Sequence, residues 1–150
     1  MSHVQLVTFL LGDQRYALHL DAVERVIPAV EITHLPKAPE IVLGLINIKG
    51  RIIPALDVRR RFRLPEREIE LKDHFIVAST SRRVVALPVE SVGEVIEISD
   101  QDMAQAAKIL SGLEHIEGVV KLRDVMLLIH NLESFLSIEE ETTLDEALKE

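Results

Sequence analysis

The feature that most constrains the fold of this chain is an internal repeat. Residues 17–27 match residues 86–96 at an offset of 69: Ala, Leu, Val, Val and Ile are identical at corresponding places, and an acidic residue follows the first apolar stretch both times. Just upstream, residues 6–8 lie opposite residues 75–77 at the same offset. Self-similarity at a fixed spacing indicates a duplicated structural unit.

A second pair of blocks follows in the same order. Residues 44–50 match residues 118–124 at an offset of 74, and each block continues into an apolar run that ends at Asp57 or Asn131. The alternative is coincidence in a chain rich in Val and Ile. The order and the near-equal offsets favour two similar halves of roughly 70 residues packed as one unit, because a barrel of about 35 residues could not bury enough surface alone.

Each half contains short apolar stretches separated by turn signals, which predicts small antiparallel barrels. The segments 47–50 and 122–124 have the composition of hairpin turns, where Gly50 can supply a positive φ. The predicted strands are 4–11, 15–20, 42–48 and 51–56 in the first half, and 74–80, 83–89, 92–98, 118–122 and 124–130 in the second.

The predicted helices are few and short. Three of them follow a residue that can cap a helix: residues 58–62 after Asp57, a stripe of Met103, Ala106 and Leu110 after Ser99 that ends at Gly112, and a helix after Asn131 that buries Leu132, Phe135 and Leu136. A capping box from Thr143 to Glu146 predicts a frayed acidic helix near the C-terminus.

The predicted organisation is a single domain followed by an acidic tail. The domain covers residues 1–138 and consists of two similar barrel halves at about 4–70 and 74–138. The tail, residues 139–150, holds six acidic residues and one lysine.

The residue types needed for most catalytic and metal sites do not occur in the required patterns. The chain has no cysteine, which excludes disulfides, thiolate zinc sites, iron–sulfur clusters and a cysteine nucleophile. Its six histidines are not spaced as metal ligands, and the sequence has no phosphate-binding glycine loop and no nucleophile elbow. We therefore expect no enzyme, no metal and no cofactor. A hydrolase or transferase of an unrecognised type would need a pocket with convergent titratable groups.

Charge and hydropathy restrict the cellular compartment in which we expect the protein and the classes of partner that it could bind. No apolar run approaches the ~18 residues that span a bilayer, and the first residues have no signal-peptide pattern, so we expect a cytoplasmic protein. The net charge of −8 and the presence of only four Phe and one Tyr are unfavourable for a protein that grips nucleic acid.

One basic cluster nevertheless leaves three interpretations open. It could be a solvated surface balanced by Glu66, Glu68 and Glu70, a face that binds an acidic protein partner, or a phosphate-binding face on a small barrel. The last interpretation gives the alternative function, a small-barrel nucleic-acid-binding protein that uses the arginines of residues 59–63. The cluster consists of Lys49, Arg51, Arg59, Arg60, Arg61, Arg63 and Arg67.

Residues 44–59 resemble the signature of the CheW-like coupling domain of bacterial chemotaxis. The residues that match this signature at its fixed intervals are Gly44, Asn47, Gly50, Pro54 and Asp57. The strongest match lies within residues 16–62, and the segments 9–12, 83–95 and 118–136 also fit in order and spacing. The resemblance covers essentially residues 4–138.

The resemblance implies a fold and a function. The fold would be mainly β, with two interlocked five-stranded SH3-like barrels and a few short helices. The function would be that of a non-enzymatic adaptor that joins the cytoplasmic tip of a chemoreceptor (a methyl-accepting chemotaxis protein) to the regulatory domain of a chemotaxis histidine kinase. Other CheW-like domains would be further partners in rings beneath receptor arrays at the inner face of the membrane. Nucleic acid and direct membrane insertion are not expected.

The resemblance also implies two binding sites. The receptor site would include Val23, Val26, Ile27, Lys49 and Arg51. Lys49 stands where the family has an essential arginine, and lysine keeps the charge but lacks the planar guanidinium fork. Either Arg51 substitutes for that arginine or the protein serves a different subset of receptors. The kinase site would include Met103 and Ile109. Local core packing is the alternative role of Val23, Val26, Ile27 and Ile109.

Overall fold

The computed structural model describes residues 3–108, 115–122 and 124–149. Its strands are β1 (His3–Leu11), β2 (Gln14–His19), β3 (Val23–Pro28), β4 (Val42–Ile48), β5 (Arg51–Leu56), β6 (His74–Ser79), β7 (Val84–Val89), β8 (Ser91–Ser99), β9 (Ile116–Leu122) and β10 (Val125–His130). Its helices are α1 (Val58–Arg61), α2 (Asp100–Lys108) and α3 (Ile138–Leu148), and a 3-10 turn covers Leu20–Ala22.

The strands form two five-stranded sheets that repeat one pairing scheme. Sheet A has the order β8-β1-β2-β10-β9, and sheet B has the order β3-β6-β7-β5-β4. In sheet A β2 and β10 run parallel, and in sheet B β7 and β5 run parallel at the corresponding place. The other neighbours are antiparallel. The duplication in the sequence is therefore a duplication of strand pairing.

Neither sheet coincides with one half of the sequence. Sheet A takes β1 and β2 from the first half and three strands from the second, and sheet B takes the converse set. The chain crosses from sheet A to sheet B through the turn Leu20–Ala22 and returns at Glu90, between β7 and β8. This exchange confirms the expected architecture of two interlocked five-stranded SH3-like barrels with a few short helices.

Apolar side chains form three clusters. One cluster lies between the sheets and receives residues from both, such as Leu18 from β2 and Leu87 from β7. The other two clusters belong mainly to single sheets: one includes Leu6 and Leu127 from sheet A, and the other includes Phe75 from sheet B. Full burial of such side chains contributes about 1.5–3 kcal/mol each, so the shared cluster is a main reason why the barrels pack as one unit.

Gly44 allows β4 to approach the chain that precedes it. Thr33 and Leu45 exchange two backbone hydrogen bonds of 2.8 and 2.7 Å, which hold the segment before β4 against that strand. Gly44 has a φ of +152°, and a Cβ atom there would lie only 2.3 Å from the Thr33 carbonyl oxygen. Only glycine fits this combination of backbone conformation and contact.

The structure corrects the helix predicted after Asn131 and adds a strand. Residues 132–136 form turns and not a helix, although Leu132 and Phe135 are buried as expected. Strand β3 was not predicted, because none of its residues is fully buried and its apolar alternation is weak. The caps predicted for α1 and α2 are confirmed: Asp57 accepts a hydrogen bond from the Arg60 amide at 3.1 Å, and Ser99 accepts one from the Asp102 amide at 3.0 Å.

The C-terminal helix is packed against the rest of the protein, so the expectation of a frayed helix was wrong. Its capping box is formed by Ser137 and Glu140, six residues before the predicted one. Leu144 is fully buried in the cluster between the sheets. The Arg83 guanidinium donates a 2.7 Å hydrogen bond to Glu141 and another to Asp145, which ties α3 to the residue just before β7.

Candidate protein-binding surface

The turn between β4 and β5 presents Lys49 to solvent. Lys49 and Gly50 both have a positive φ, of 52° and 89°, which is the backbone of a tight hairpin turn. The Asn47 side chain accepts a 2.8 Å hydrogen bond from the Gly50 amide and fixes the turn. Within the described residues, the exposed Lys49 ammonium forms no ion pair, so its charge is available to a partner.

Arg51 connects this turn to β3. Its guanidinium donates to both carboxylate oxygens of Glu24, at 2.9 and 3.4 Å. Val26 lies two residues beyond Glu24 and is 39% exposed, and Ile52, next to Arg51, is 54% exposed. We call Val26, Lys49, Arg51 and Ile52 the Lys49 surface. It combines apolar side chains with a cation that forms no ion pair among the described residues, which suits a protein interface.

The other two predicted receptor residues are less accessible. Val23 is partly buried against the cluster between the sheets, and Ile27 is partly buried against the cluster of sheet B. Both therefore contribute to packing. Of the predicted residues, the structure brings Val26, Lys49 and Arg51 to the surface around β3 and the β4–β5 turn.

The predicted kinase residues are placed only in part. Met103 lies on α2 and packs, partly buried, against the cluster of sheet A. Ile109 lies outside the described residues.

Sequence reasoning missed a second set of exposed apolar residues that the repeat relates to the Lys49 surface. Val95 on β8 corresponds to Val26 at the offset of 69, and Met126 on β10 corresponds to Ile52 at the offset of 74. All four side chains are exposed. The two barrels therefore present similar apolar surfaces, and comparison of the matched blocks could have found the second one.

The arginines of the basic cluster are mostly engaged within the protein. Arg59 binds Glu90 at 2.6 Å and Arg61 binds Glu140 at 2.6 Å, while Arg60 contacts Glu40. A phosphate-binding face needs free cations, and these ion pairs neutralise three of them. The five aromatic residues are also unavailable for stacking on bases, since four are buried (Phe9, Tyr16, Phe75 and Phe135) and the fifth, the partly buried Phe62, is already stacked on Tyr16. These contacts disfavour the nucleic-acid interpretation.

A continuous aromatic stack crosses the centre of the protein. Tyr16 stacks on Phe9 and on Phe62, with ring centroids 5.7 and 4.7 Å apart. The His130 ring meets the edges of Phe62 and Phe135 at 5.0 and 5.2 Å. Burial, reinforced by the nearby His115, lowers the pKa of His130 from 6.5 to about 3. His130 is therefore neutral at physiological pH.

Acidification is expected to destabilise the protein through His130. The pKa of His130 in the folded state lies below its ordinary value. The contribution of the neutral His130 ring to the free energy of unfolding is therefore complete above pH 6.5 and decreases as the pH falls towards 3. We expect a loss of about 2 kcal/mol in the free energy of unfolding between pH 7 and pH 5, measured by urea titration. Hydrogen bonds from Arg67 lower the pKa of Asp73 below 3.8, so that carboxyl group titrates outside this window.

Matched variants identify the residue responsible. His130→Phe keeps an aromatic ring in the stack and should remove most of the pH dependence, whereas His34→Gln alters an exposed histidine and should retain it. An unchanged pH dependence in His130→Phe would contradict the assignment.

The described residues include no group of three or more His, Asp or Glu side chains that could hold a metal ion. Among the helices of the described part of the chain, none is long and apolar enough to cross a membrane.

Comparisons with known proteins agree with the geometry. The chain is 31% identical over 138 residues to a chemotaxis protein CheW of Rhizobium meliloti (strain 1021), covering 91% of this chain and 89% of that protein. It is 27% identical to a chemotaxis protein CheW of Treponema pallidum (strain Nichols), covering 91% and 84%.

A solved structure extends the comparison to the fold. The crystal structure of the scaffolding protein TtCheW from Thermoanaerobacter tengcongensis superposes with a TM-score of 0.80 at 27% identity, covering 93% of this chain and 96% of that one. The CheW-like domain model matches residues 5–140. With its duplicated strand pairing, its interlocked sheets and this match over most of its length, the chain belongs to the CheW-like family of chemotaxis proteins.

Proposed function

We propose that this protein is a non-enzymatic adaptor that couples the cytoplasmic tip of a chemoreceptor to the regulatory domain of a chemotaxis histidine kinase. Membership of the CheW-like family and the likeness to a scaffolding protein support this role. The observation that carries it is the Lys49 surface, where Val26 and Ile52 are exposed and Lys49 forms no ion pair within the described residues, on a hairpin fixed by the Asn47 side chain.

Lys49 and Arg51 have different roles in the proposed receptor site: Lys49 presents a positive charge to the receptor, and Arg51 holds the β4–β5 turn against β3. Since the Arg51 guanidinium is bound to Glu24, Arg51 stabilises the surface and Lys49 is the cation presented to the receptor. We therefore infer that Lys49, and not Arg51, takes the place of the family arginine. A lysine ammonium presents a point charge, so contact with a receptor carboxylate would be monodentate.

The kinase site is proposed on the other barrel. Met103 and Ile109 remain its predicted residues, and the exposed Val95 and Met126 on sheet A extend the available apolar surface. Partners on opposite barrels could then be bound at the same time. Each interface would be small, with a few residues contributing most of the binding energy.

The double variant Val26→Asp, Lys49→Glu tests the receptor site. It reverses the charge and places a carboxylate in the apolar part of the surface. Affinity for a receptor cytoplasmic fragment should fall at least about tenfold, which corresponds to ~1.4 kcal/mol. The measurement is co-sedimentation with receptor assemblies in the absence of kinase, with thermal unfolding as the check that the variant is folded.

The control makes the same chemical change on the other barrel. Val125 is exposed to the same 39% as Val26 and lies near the exposed Lys121 on the β9–β10 hairpin. Val125→Asp, Lys121→Glu should retain receptor binding. Equal binding by wild type and the Val26, Lys49 variant would remove this site assignment, and a failure of wild type to bind either partner would overturn the proposed function.

A further inference from the structure

Helix α3 is held to the barrels by side chains. Among the described residues, its backbone hydrogen bonds lie within the helix and its caps, and none joins it to a strand. The capping box of Ser137 and Glu140 is also local to the helix. Most of α3 lies beyond residue 140, where the match to the CheW-like domain ends. Detachment of α3 would therefore break no strand pair, and it should cost less free energy than unfolding of the whole protein.

The side chains beneath α3 form an apolar groove. Leu144 of α3 is fully buried and belongs to the cluster between the sheets. A helix that lays one apolar face on such a groove is a recurring mode of peptide recognition. Four groove residues belong to the same cluster and line one small pocket together with Glu141 of α3: Leu56, Val85, Leu132 and Phe135.

Two arginines flank these apolar residues. Arg61 donates to both carboxylate oxygens of Glu140, at 2.7 and 2.6 Å. Arg83 binds Glu141 at 2.7 Å and also contacts Asp145. The two arginine side chains are only 18% and 13% exposed, so without a carboxylate each would be a poorly hydrated, unpaired charge. We call the four apolar residues with these two arginines the α3 groove.

The composition of α3 shows what this groove accepts. The buried face of the helix consists of Glu141, Leu144 and Ala147, which are spaced three residues apart. Residues 138–148 contain five acidic residues and no lysine or arginine. The groove therefore fits an amphipathic helix that has small or branched apolar residues on one face and carboxylates beside them.

We propose that α3 is a displaceable cover and that the α3 groove is a docking site for an acidic amphipathic helix of a protein partner. The partner helix supplies carboxylates to Arg61 and Arg83, and one of its apolar side chains takes the place of Leu144. Because α3 belongs to the same chain, it competes at a high effective concentration. It therefore lowers the apparent affinity for the partner in proportion to the fraction of molecules whose groove is open.

A second copy of this chain is a less favourable occupant than a different protein. Exchange of α3 between two copies would only reproduce the contacts that each copy already makes by itself. Such a dimer would gain no new contact in the groove and would lose translational and rotational freedom. A partner helix with a better apolar or acidic match does not have this disadvantage.

A fluorescent peptide with the sequence of residues 137–150 is the probe, and fluorescence anisotropy measures its binding to the full chain. Wild type should bind it weakly, because α3 covers the groove. Leu144→Ala in the chain weakens only the internal competitor and should raise the affinity for the peptide at least about tenfold. Leu148→Ala makes the same change at a side chain that is 39% exposed, and it should change the affinity by less than about twofold.

A milder variant covers the case in which Leu144→Ala does not fold, which the amide NMR shifts of β6 and β7 would reveal. Asp145→Asn in the chain removes a contact with Arg83 from a side chain that is 56% exposed. It leaves the apolar face of α3 intact and should raise the affinity for the peptide about threefold. A purely structural role of α3 would not make any variant of this helix bind the peptide more tightly.

Variant peptides test the carboxylates without changing the protein. A peptide with Glu141→Gln and Asp145→Asn should bind the Leu144→Ala chain at least about tenfold more weakly than the original peptide. A peptide with Glu139→Gln and Glu146→Gln loses the same charge at exposed positions and should bind within about twofold of the original.

Three peptide results would overturn the proposal: no saturable binding to any of these chains, equal binding of the two variant peptides, or no gain in affinity in either folded α3 variant. A wild-type dimer that Leu144→Ala abolishes would assign the groove to a second copy and would also overturn it; light scattering measures the molar mass. None of these results bears on receptor coupling, because the Lys49 surface shares no residue with the α3 groove.

Discussion

Gly44→Ala is expected to destabilise the protein by about 3 kcal/mol or more. The new Cβ atom would lie 2.3 Å from the Thr33 carbonyl oxygen and 2.7 Å from the Ile32 side chain. Backbone atoms cannot move aside without breaking the paired hydrogen bonds between Thr33 and Leu45. The φ of +152° adds a conformational cost for any residue with a Cβ atom. Urea unfolding of wild type and variant measures the difference.

Gly12→Ala provides the matched control. Gly12 also has a positive φ, of +60°, but no atom lies within 4 Å of a Cβ placed there. Its substitution should therefore cost only the conformational term, about 1–2 kcal/mol. If the two variants were equally stable, the close approach at Thr33 would not be the reason for glycine at position 44.

Arg83→Ala is expected to cost about 3–5 kcal/mol, because it leaves the Glu141 carboxylate buried without its cation. The Arg83 and Glu141 side chains are only 13% and 8% exposed, and their atoms are 2.7 Å apart. The same substitution also releases Asp145 on α3. The loss should be visible as a lower midpoint in urea unfolding.

The neighbouring arginine supplies the control for this prediction. Arg82 is 56% exposed and lies 3.8 Å from Glu141, so Arg82→Ala should change stability by less than about 1 kcal/mol. The pair Arg83→Leu, Glu141→Leu removes both charges and should recover much of the lost stability. A loss in Arg82→Ala as large as that in Arg83→Ala would show that the buried pair is not what fastens α3.

The sequence predicted the strands best where apolar residues alternate clearly or run together. Strands β4 and β5 were placed at their observed bounds because the Lys49–Gly50 turn separates two strongly apolar segments. Strand β3 was missed because much of its length faces solvent. The match of residues 17–27 to 86–96 contained the missing signal, since it aligns β3 with the predicted strand β8.

Side-chain contacts between residues far apart in the sequence could not be predicted in the same way. The pairing of Arg51 with Glu24 joins residues 27 positions apart, and that of Arg83 with Glu141 joins residues 58 positions apart. Side-chain pairs of this kind depend on how the sheets close, which local propensity does not determine. The start of α3 could have been predicted, because Ser137 and Glu140 have the spacing of a capping box.

The two crossings between the sheets have a mechanical consequence. One is the three-residue turn Leu20–Ala22 and the other is the single residue Glu90, and neither gives the barrels enough slack to swing about a joint. Because both sheets also share one apolar cluster, the two barrels should move together as one rigid body. A force applied by a partner at the β4–β5 turn would then displace sheet A together with the rest of the protein. If several such rigid bodies were joined, the angles between neighbours would be set by the contacts at their ends and not by bending within each protein.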